Sequence, residues 1–248
     1  MCGIIGYTGS NPALARVIEG LRRLEYRGYD SAGIALVGKP GAQLVVAKKA
    51  GKLSNLEQAL TSDYESSTSG IGHTRWATHG GPTDTNAHPH ISNDGKLAVI
   101  HNGIIENYVE LKADLQKRGY KFTSETDTES VAHLLSDEFS KSGNLAEAMR
   151  AVCKQLRGSF TLLAIHSDAP QTIIGARRNS PLVVGVGDGE NFLASDVSAF
   201  ISHTKKALEL GHRSTDKRYS GDNRLIPPKS SYRRRCLAPR CRLITSWG

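Results

Sequence analysis

The order of the secondary-structure patterns predicts an α+β protein whose sheets are largely antiparallel. Strand-like segments come in runs, helical patterns then follow one another in succession, and a further run of strand-like segments comes after these helices. A doubly wound parallel sheet needs a crossover helix between successive strands, so this order argues against one. The sequence contains no internal repeat.

Nine short segments are typical of strands, because they are apolar or β-branched and are bounded by Gly, Asn, Asp or Pro. These segments are residues 4–7, 32–37, 43–48, 70–76, 97–101, 160–165, 172–176, 182–186 and 192–195.

The first helix is predicted after residue 11, where apolar side chains recur with the 3.6-residue period of a helix. Asn11 suits the N-cap, Pro12 suits the first turn, and Gly28 can end the helix. The recurring apolar side chains are Leu14, Val17, Ile18, Leu21 and Leu24.

Three more helices are predicted further along the chain. One runs from Asn107 to about Arg118, and Asn107 has an acid three residues later in the spacing of a capping box. The next begins near Asp127, and the last runs from Asn144, again with an acid three residues on, to Leu156.

The positive charge of the chain is confined to its C-terminal end. Ten of the 32 lysines and arginines follow residue 211, but only two of the 24 acids do, so residues 1–211 carry no net charge. The end also lacks a sustained apolar period, which is typical of disorder. We therefore predict a folded domain over 1–211 and a basic, disordered tail over 212–248. Few aromatics accompany its arginines and no nucleic-acid-binding module is recognised, so specific nucleic-acid binding is not expected.

Cysteine usage and hydropathy predict a cytoplasmic protein. No apolar run is long enough to span a membrane, and no signal-peptide pattern precedes the first strand, so no membrane association is expected. The four cysteines are scattered, without the spacing of a metal site or a disulfide framework. They are Cys2, Cys153, Cys236 and Cys241.

Cys2 directly follows the initiator methionine and leads into an apolar strand. One interpretation is that it is a small apolar residue at the start of a buried strand. The other is that Met1 is removed, which leaves Cys2 with both a thiol and a free α-amine. An α-amine titrates near neutral pH, so it can accept the thiol proton and activate the sulfur as a nucleophile.

The segment HNGIIEN follows a predicted strand and places Asn102 beside Gly103. A side-chain amide and an unobstructed backbone N–H are a common way to build an oxyanion hole. The alternative is an Asn-Gly turn that joins two strands, although a helical pattern follows this segment directly.

The segment HTRWATHGGPTDTNAHPH combines groups that could bind a small substrate. Arg75 offers a planar fork for a carboxylate, Trp76 could cover the ligand, and Thr78 and His79 add hydrogen-bonding groups on a loop rich in glycine. The histidines of this segment lack the spacing of a zinc site, so no metal is expected and hydrogen bonding is the favoured role of most of them. These histidines are His73, His79, His88 and His90.

Asp127 in SETDTE stands at a predicted helix start. It can act as an N-cap or first-turn acid. Alternatively, it can bind a substrate ammonium group and, together with Arg75, hold the two ends of an α-amino acid.

Seven motifs together resemble the glutaminase domain of the glutamine–fructose-6-phosphate aminotransferase family, one of the class II glutamine amidotransferases. They follow the family's order within residues 1–211. Other class II amidotransferases share the N-terminal Cys and the HNG segment, whereas YRGYDSAG and TRWATHG point to this family. The motifs are MCGIIGY, LRRLEYRGYDSAG, HTRWATHG, NAHPH, HNGIIEN, SETDTE and NSPLVVG.

The resemblance implies an N-terminal-nucleophile hydrolase fold, a four-layer αββα sandwich with two mainly antiparallel sheets. It implies glutamine as the substrate, no cofactor, and hydrolysis to glutamate and ammonia through a thioester on Cys2. By matching motif, Asn102 and Gly103 would form the oxyanion hole. The other implied site residues are Arg75, Thr78 and His79 for the carboxylate, Asp127 for the ammonium group, Trp76 on the mobile loop and Arg27 near the nucleophile.

The sequence departs from the family in two ways. The family continues into two sugar-isomerase domains that bind fructose 6-phosphate, which are absent here, and the resemblance stops near residue 211. We therefore expect the glutaminase half-reaction without the synthase step. The alternative is a non-catalytic product whose basic tail binds polyanions non-specifically. The oligomeric state is left open.

Overall fold

The computed structural model describes residues 2–38, 41, 43–61, 67–77, 80–210, 217–220, 225–226 and 242–246. Within these ranges, two seven-stranded sheets lie face to face and helices cover the outer face of each. This architecture confirms the predicted α+β class and the four-layer αββα sandwich.

The strands overlap every predicted strand segment. In chain order they are β1 (Gly3–Gly9), β2 (Ser31–Val37), β3 (Val45–Ala50), β4 (Ser69–Arg75), β5 (His90–Ile91), β6 (Leu97–Ile105), β7 (Gly158–His166), β8 (Thr172–Arg178), β9 (Val183–Val186), β10 (Glu190–Ala194), β11 (Ala207–Glu209), β12 (Lys217–Ser220), β13 (Leu225–Ile226) and β14 (Arg242–Ser246).

The first sheet has the strand order β11-β9-β10-β1-β4-β2-β3, and all its neighbouring strands are antiparallel. The second sheet has the order β13-β12-β14-β8-β7-β6-β5, in which only the β14–β8 pair of the described strands is parallel. In the first sheet β1 is an inner strand, paired with β10 on one side and with β4 on the other. The chain therefore starts at the end of a strand that is held from both sides.

Five helices complete the described part of the sandwich. They are α1 (Ala13–Leu24), α2 (Leu53–Gln58), α3 (Tyr108–Lys117), α4 (Thr128–Ser142) and α5 (Leu145–Gln155), with 3₁₀ turns at Glu25–Arg27 and Val197–Ala199. The short α2 was not predicted. None of these helices is long and apolar enough to cross a membrane.

Alternating side chains divide the apolar core into three layers. Ile4 packs between the two sheets, whereas the next residue, Ile5, packs against α1. In β6, Ile100 packs between the sheets and Val99 packs against α4 and α5. The period-2 alternation of strand side chains explains why one apolar strand can supply two different layers.

The helix ends agree with the predictions in part. Asn144 caps α5, because its side-chain oxygen accepts hydrogen bonds from the N–H groups of Ala146 and Glu147. Asn107 makes no side-chain cap to α3, so the predicted capping box is wrong, and its amide instead binds backbone groups of Gln155 and Arg157.

The predicted N-cap of α1 is also wrong. The residue at that position is Pro12, and the Asn11 side chain donates to Glu190 across the sheet instead of capping the helix. A tertiary hydrogen bond to a carboxylate has replaced the local cap.

Part of the predicted basic tail, residues 212–248, lies within the described ranges. Three short strands, β12, β13 and β14, extend the second sheet beyond β8. β14 includes the β-branched residues Ile244 and Thr245, which favour a strand. The rest of residues 211–248 lies outside the described ranges.

We predict that Asn144→Ala lowers the free energy of unfolding by about 1 kcal/mol, because two N–H groups of α5 lose their acceptor. Asn144→Asp keeps an acceptor at the same place and should cost much less. Urea unfolding followed by circular dichroism measures both. Equal stability of the Ala and Asp variants would contradict this account of the α5 cap.

Candidate active site

A cavity of about 350 Å³ opens where the starts of β1 and α4 meet the ends of β4 and β6. This volume lies within the range of pockets that hold small ligands. Its lining consists of Cys2, Arg27, Arg75, Trp76, His88, His101, Asn102, Gly103, Ile104, Thr126, Asp127, Thr128, Ser180 and Pro181.

Cys2 places its thiol at this cavity, immediately before β1. The N–H of Trp76 donates to Cys2 Sγ at 3.2 Å, and the thiol lies 3.6 Å from the carbonyl oxygen of Trp76. Burial raises the pKa of the Cys2 thiol above its ordinary value. The thiol is therefore protonated at neutral pH, and its use as a nucleophile requires a proton acceptor.

The Trp76 backbone is itself held by the segment that follows α1. The N–H of Asp30 donates to the Arg75 carbonyl oxygen at 3.1 Å, and the Asp30 carboxylate accepts from the N–H of Ala77. A side chain at Gly28 would lie 2.8 Å from the carbonyl of Arg75, so only glycine allows this close approach. Two bonds thus position the N–H that meets the sulfur.

Asn102 and Gly103 lie within β6 and do not form a turn. They pair with Thr161 and Phe160 of β7, so the strand continues through the segment where the sequence predicts its end. The Asn102 side chain donates from Nδ2 to the carbonyl oxygen of Cys2 at 2.8 Å. This contact joins the two sheets beside the thiol.

Gly103 has a φ of +125°, a conformation that L side chains rarely adopt. A Cβ at this position would lie 2.0 Å from the carbonyl oxygen of Ser159. Both the backbone conformation and the close approach of β7 therefore require glycine here, where the residue lines the cavity.

The histidines of the site form a buried cluster between β4, β5, β6 and α4. His73 Nε2 lies 3.0 Å from both the His101 carbonyl oxygen and Asn102 Oδ1, and the rings of His73 and His88 stack at 4.3 Å. His90 binds the Thr126 hydroxyl at 2.8 Å. No group of three or more His, Cys, Asp or Glu that could hold a metal ion occurs among the described residues.

Arg75 and Trp76 both line the cavity but differ in their surroundings. Arg75 is 4% exposed, and its guanidinium donates to the carbonyl oxygens of Gly80 and Gly81 at 3.0–3.2 Å. It therefore ties the following loop to β4 as well as facing the cavity. Trp76 is 51% exposed and packs edge-on against Tyr29.

Asp127 stands at the N-cap position of α4, as predicted, but its side chain makes no cap to that helix. Its Oδ2 accepts from the N–H of Ile105 at 2.8 Å, and the Thr128 hydroxyl donates to its Oδ1 at 3.3 Å. The side chain is buried and lines the cavity. A carboxylate at this place supplies negative charge to the site.

Arg27 also lines the cavity, where its Nη2 binds Asp196 at 2.7 Å. The structure thus brings six of the eight other predicted site residues to the cavity with Cys2: Arg27, Arg75, Trp76, Asn102, Gly103 and Asp127. Thr78, His79 and Met1 lie outside the described residues.

Sequence analysis missed several residues of the lining. The hydroxyl of Thr128 binds both His88 and His101 at 2.9 Å and lies beside Asp127, so it organises the floor of the cavity. Ser180 and Pro181 belong to the NSPLVVG motif, for which the sequence predicts no role. A lone Thr or Ser-Pro pair carries no chemical signal in a sequence, and only the fold brings these residues to the site.

The comparisons with known proteins show the family to which the chain belongs. The family model described as "Glutamine amidotransferase domain" matches residues 73–202, more than half of the chain. The chain belongs to the glutamine amidotransferase domain family. This finding confirms the amidotransferase family indicated by the motifs.

Curated relatives of this amidotransferase domain are named glutamine--fructose-6-phosphate aminotransferase [isomerizing]. The protein from Streptomyces coelicolor is 62% identical over 212 residues, and that from Leifsonia xyli is 57% identical over 212 residues. In both, the match covers 85% of this chain and 34% of the relative. The chain therefore spans about one third of the length of these relatives.

Solved structures resemble the amidotransferase domain over most of its length. Glutamine phosphoribosylpyrophosphate amidotransferase from B. subtilis, complexed with ADP and GMP, superimposes with a TM-score of 0.69 at 28% identity. The superposition covers 84% of this chain and 44% of that chain.

We predict that the free energy of unfolding falls as the pH is lowered from 7 to 5. Burial lowers the pKa of His73 to about 3 and those of His88 and His90 well below 6.5, so these rings stay neutral when folded. The unfolded chain binds protons on them below pH 6.5, which costs about 2 kcal/mol of stability per ring over this interval.

Urea unfolding at several pH values measures this dependence. His90→Gln removes one of the rings and should reduce proton uptake on unfolding at pH 5 by about one proton. A free energy of unfolding that stays constant between pH 7 and pH 5 would show that the cluster is not held neutral.

Proposed function

We propose that this chain hydrolyses the side-chain amide of L-glutamine to glutamate and ammonia, with Cys2 as the nucleophile. The observation that carries the proposal is that Cys2 lines the cavity together with Asn102 and Gly103, and that Asn102 Nδ2 binds the Cys2 carbonyl oxygen. Membership of the glutamine amidotransferase domain family supports glutamine as the substrate.

The first step needs a base close to a thiol whose pKa burial raises. Removal of Met1 would give Cys2 a free α-amine, which accepts the thiol proton directly or through one water. The thiolate then attacks the amide carbon, and the C=O π electrons move onto the oxygen. The same amine returns the proton to the leaving nitrogen, which departs as ammonia.

The oxyanion needs donors that are in place before the reaction. We propose that Asn102 Nδ2 and the N–H of Gly103 supply them. Asn102 Nδ2 lies 2.8 Å from the Cys2 carbonyl oxygen, so this donor is held beside the proposed nucleophilic residue. Collapse of this intermediate leaves a γ-glutamyl thioester on Cys2, and a water hydrolyses it to glutamate.

The two charged groups of glutamine require opposite charges in the cavity. We propose that Asp127 binds the α-ammonium group and that Arg75 attracts the α-carboxylate, with Thr78 and His79 assisting. The support is that both Asp127 and Arg75 are buried and line the cavity. In a site largely shielded from water these charges select an α-amino acid over an uncharged amide.

The remaining predicted residues lie at the edge of the cavity. We propose that Trp76, exposed beside Tyr29, covers bound glutamine when the loop after β4 closes. We propose that Arg27, held by Asp196, supports the cavity wall near the thiol.

We further propose that the ammonia serves the amination of fructose 6-phosphate, the reaction named for the curated relatives. That step would require the part of those relatives that this chain does not span. We also propose a cytoplasmic location, which rests on the sequence alone.

We predict that the purified chain releases glutamate from glutamine and that Cys2→Ala lowers this rate by more than about 10³-fold, since no other group can form the thioester. Cys153→Ala is the matched control, because Cys153 is buried on α5 away from the cavity. Glutamate formation is followed with a coupled dehydrogenase assay.

Equal rates for the unsubstituted chain and Cys2→Ala would overturn the proposed function. Trapping of a covalent adduct at Cys2 by a glutamine analogue with an electrophilic side chain, detected by mass spectrometry, provides a second measurement of the same step.

A further inference from the structure

One hydrogen bond connects the two sheets directly behind the proposed oxyanion hole. His73 lies in β4, where it pairs with Ile4 of β1 and with Gly33 of β2, so its backbone is fixed on both sides. Its ring crosses to the second sheet and reaches Asn102 of β6, with Nε2 3.0 Å from Asn102 Oδ1. The ring is completely buried.

The partners of His73 Nε2 determine which nitrogen of the ring carries the proton. Nε2 lies 3.0 Å from the carbonyl oxygen of His101, which can only accept a hydrogen bond. Nε2 must therefore be protonated, and it donates to both oxygens. Nδ1 is buried without a hydrogen-bond partner among the described residues, which is consistent with an unprotonated nitrogen.

This donor in turn determines the orientation of the Asn102 amide. An amide offers an oxygen on one side and an NH₂ group on the other. The χ2 angle of Asn has broad, roughly two-fold preferences, so the torsion alone does not decide which side the oxygen takes. Because an N–H of His73 faces one side, Oδ1 must lie there and Nδ2 must point towards Cys2. A rotated amide would set two donors against each other and would turn an oxygen towards the oxyanion.

The ring itself is clamped in place. His88 stacks on it at 4.3 Å with an interplanar angle of 30°, and His88 is anchored to the Thr128 hydroxyl at 2.9 Å. His101 binds the same Thr128 hydroxyl through its ring. Its backbone carbonyl oxygen is the second acceptor of the His73 Nε2–H. The donor is thus held rigidly before any substrate binds.

We propose that His73 is a positioning residue for glutamine hydrolysis: its Nε2–H fixes the Asn102 amide so that Nδ2 is presented to the oxyanion. The inference rests on the proposed function, in which Asn102 stabilises that oxyanion. His73 is not part of the cavity lining, and its Nε2 lies against Asn102, so its proposed effect on the rate passes through Asn102.

The proposal predicts a loss in kcat that depends on the position of the donor. His73→Leu removes the donor, and kcat for glutamine hydrolysis should fall about 10- to 100-fold. This fall should not exceed the fall in kcat that follows removal of an oxyanion-hole donor itself. KM should stay within about threefold, because the groups proposed to bind the α-ammonium and α-carboxylate of glutamine are unchanged. His73→Gln places an amide N–H near the site of Nε2 and should recover most of kcat, whereas the shorter His73→Asn should not.

Two further measurements separate positioning from general damage to the site. Alkylation of Cys2 by iodoacetamide needs the thiol but no oxyanion hole, so its rate should change less than twofold in His73→Leu. In an Asn102→Ala background, His73→Leu should cause little further loss, because both changes remove the same interaction.

The outcomes are distinct. Unchanged kcat in His73→Leu, a parallel fall in alkylation and turnover, equal kcat in the Gln and Asn variants, or additive losses with Asn102→Ala would each overturn the role of His73. If His73→Leu does not fold, the Gln and Asn pair alone decides the question. Absence of Cys2-dependent glutamate release from the unsubstituted chain would instead overturn the proposed function, and this inference with it.

Discussion

The site depends on the pairing of β1 between β4 and β10. The first residues of a chain are normally the most mobile, and a catalytic group there would lack a fixed position. Here the strand that begins at Gly3 is paired on both edges, and Cys2 is attached directly to this fixed strand. The thiol of Cys2 consequently has a fixed place beside the N–H of Trp76, and Cys2 lines the cavity.

A second constraint follows from the first, because polar groups must then lie between two apolar sheets. Burying an unpaired polar atom is costly, and a buried charge costs more. The chain meets this cost with neutral histidine rings that hydrogen-bond to Thr126, Thr128, Asn102 and a backbone carbonyl. The hydrogen bonds of this neutral cluster lower the cost of burying polar groups, and they also orient the donors of the site. The same contacts therefore contribute to the stability of the fold and to the geometry of the site.

Much of this could be predicted from the sequence, and the exceptions have physical causes. The strands and α1, α3, α4 and α5 follow from periodicity, and the motifs brought Cys2, Asn102, Gly103, Arg75 and Asp127 into one hypothesis. Local rules failed at Asn11 and Asn107, where tertiary hydrogen bonds replaced the predicted helix caps. They also failed at the HNG segment, where pairing with β7 extends β6 beyond its predicted end. The link from His73 to Asn102 could not be predicted, since it joins opposite sheets through a pair of residues 29 positions apart.

The central claim is that the α-amine of Cys2 is the base that activates its own thiol. A protease-removable leader can be cut to give two products, one that begins at Cys2 and one that carries a single glycine before it. The two differ in whether the nitrogen of Cys2 is an amine or an amide, while the thiol and the cavity are the same. The account predicts that kcat for glutamine hydrolysis is at least about 100-fold higher in the product that begins at Cys2. Equal turnover by the two products would contradict it.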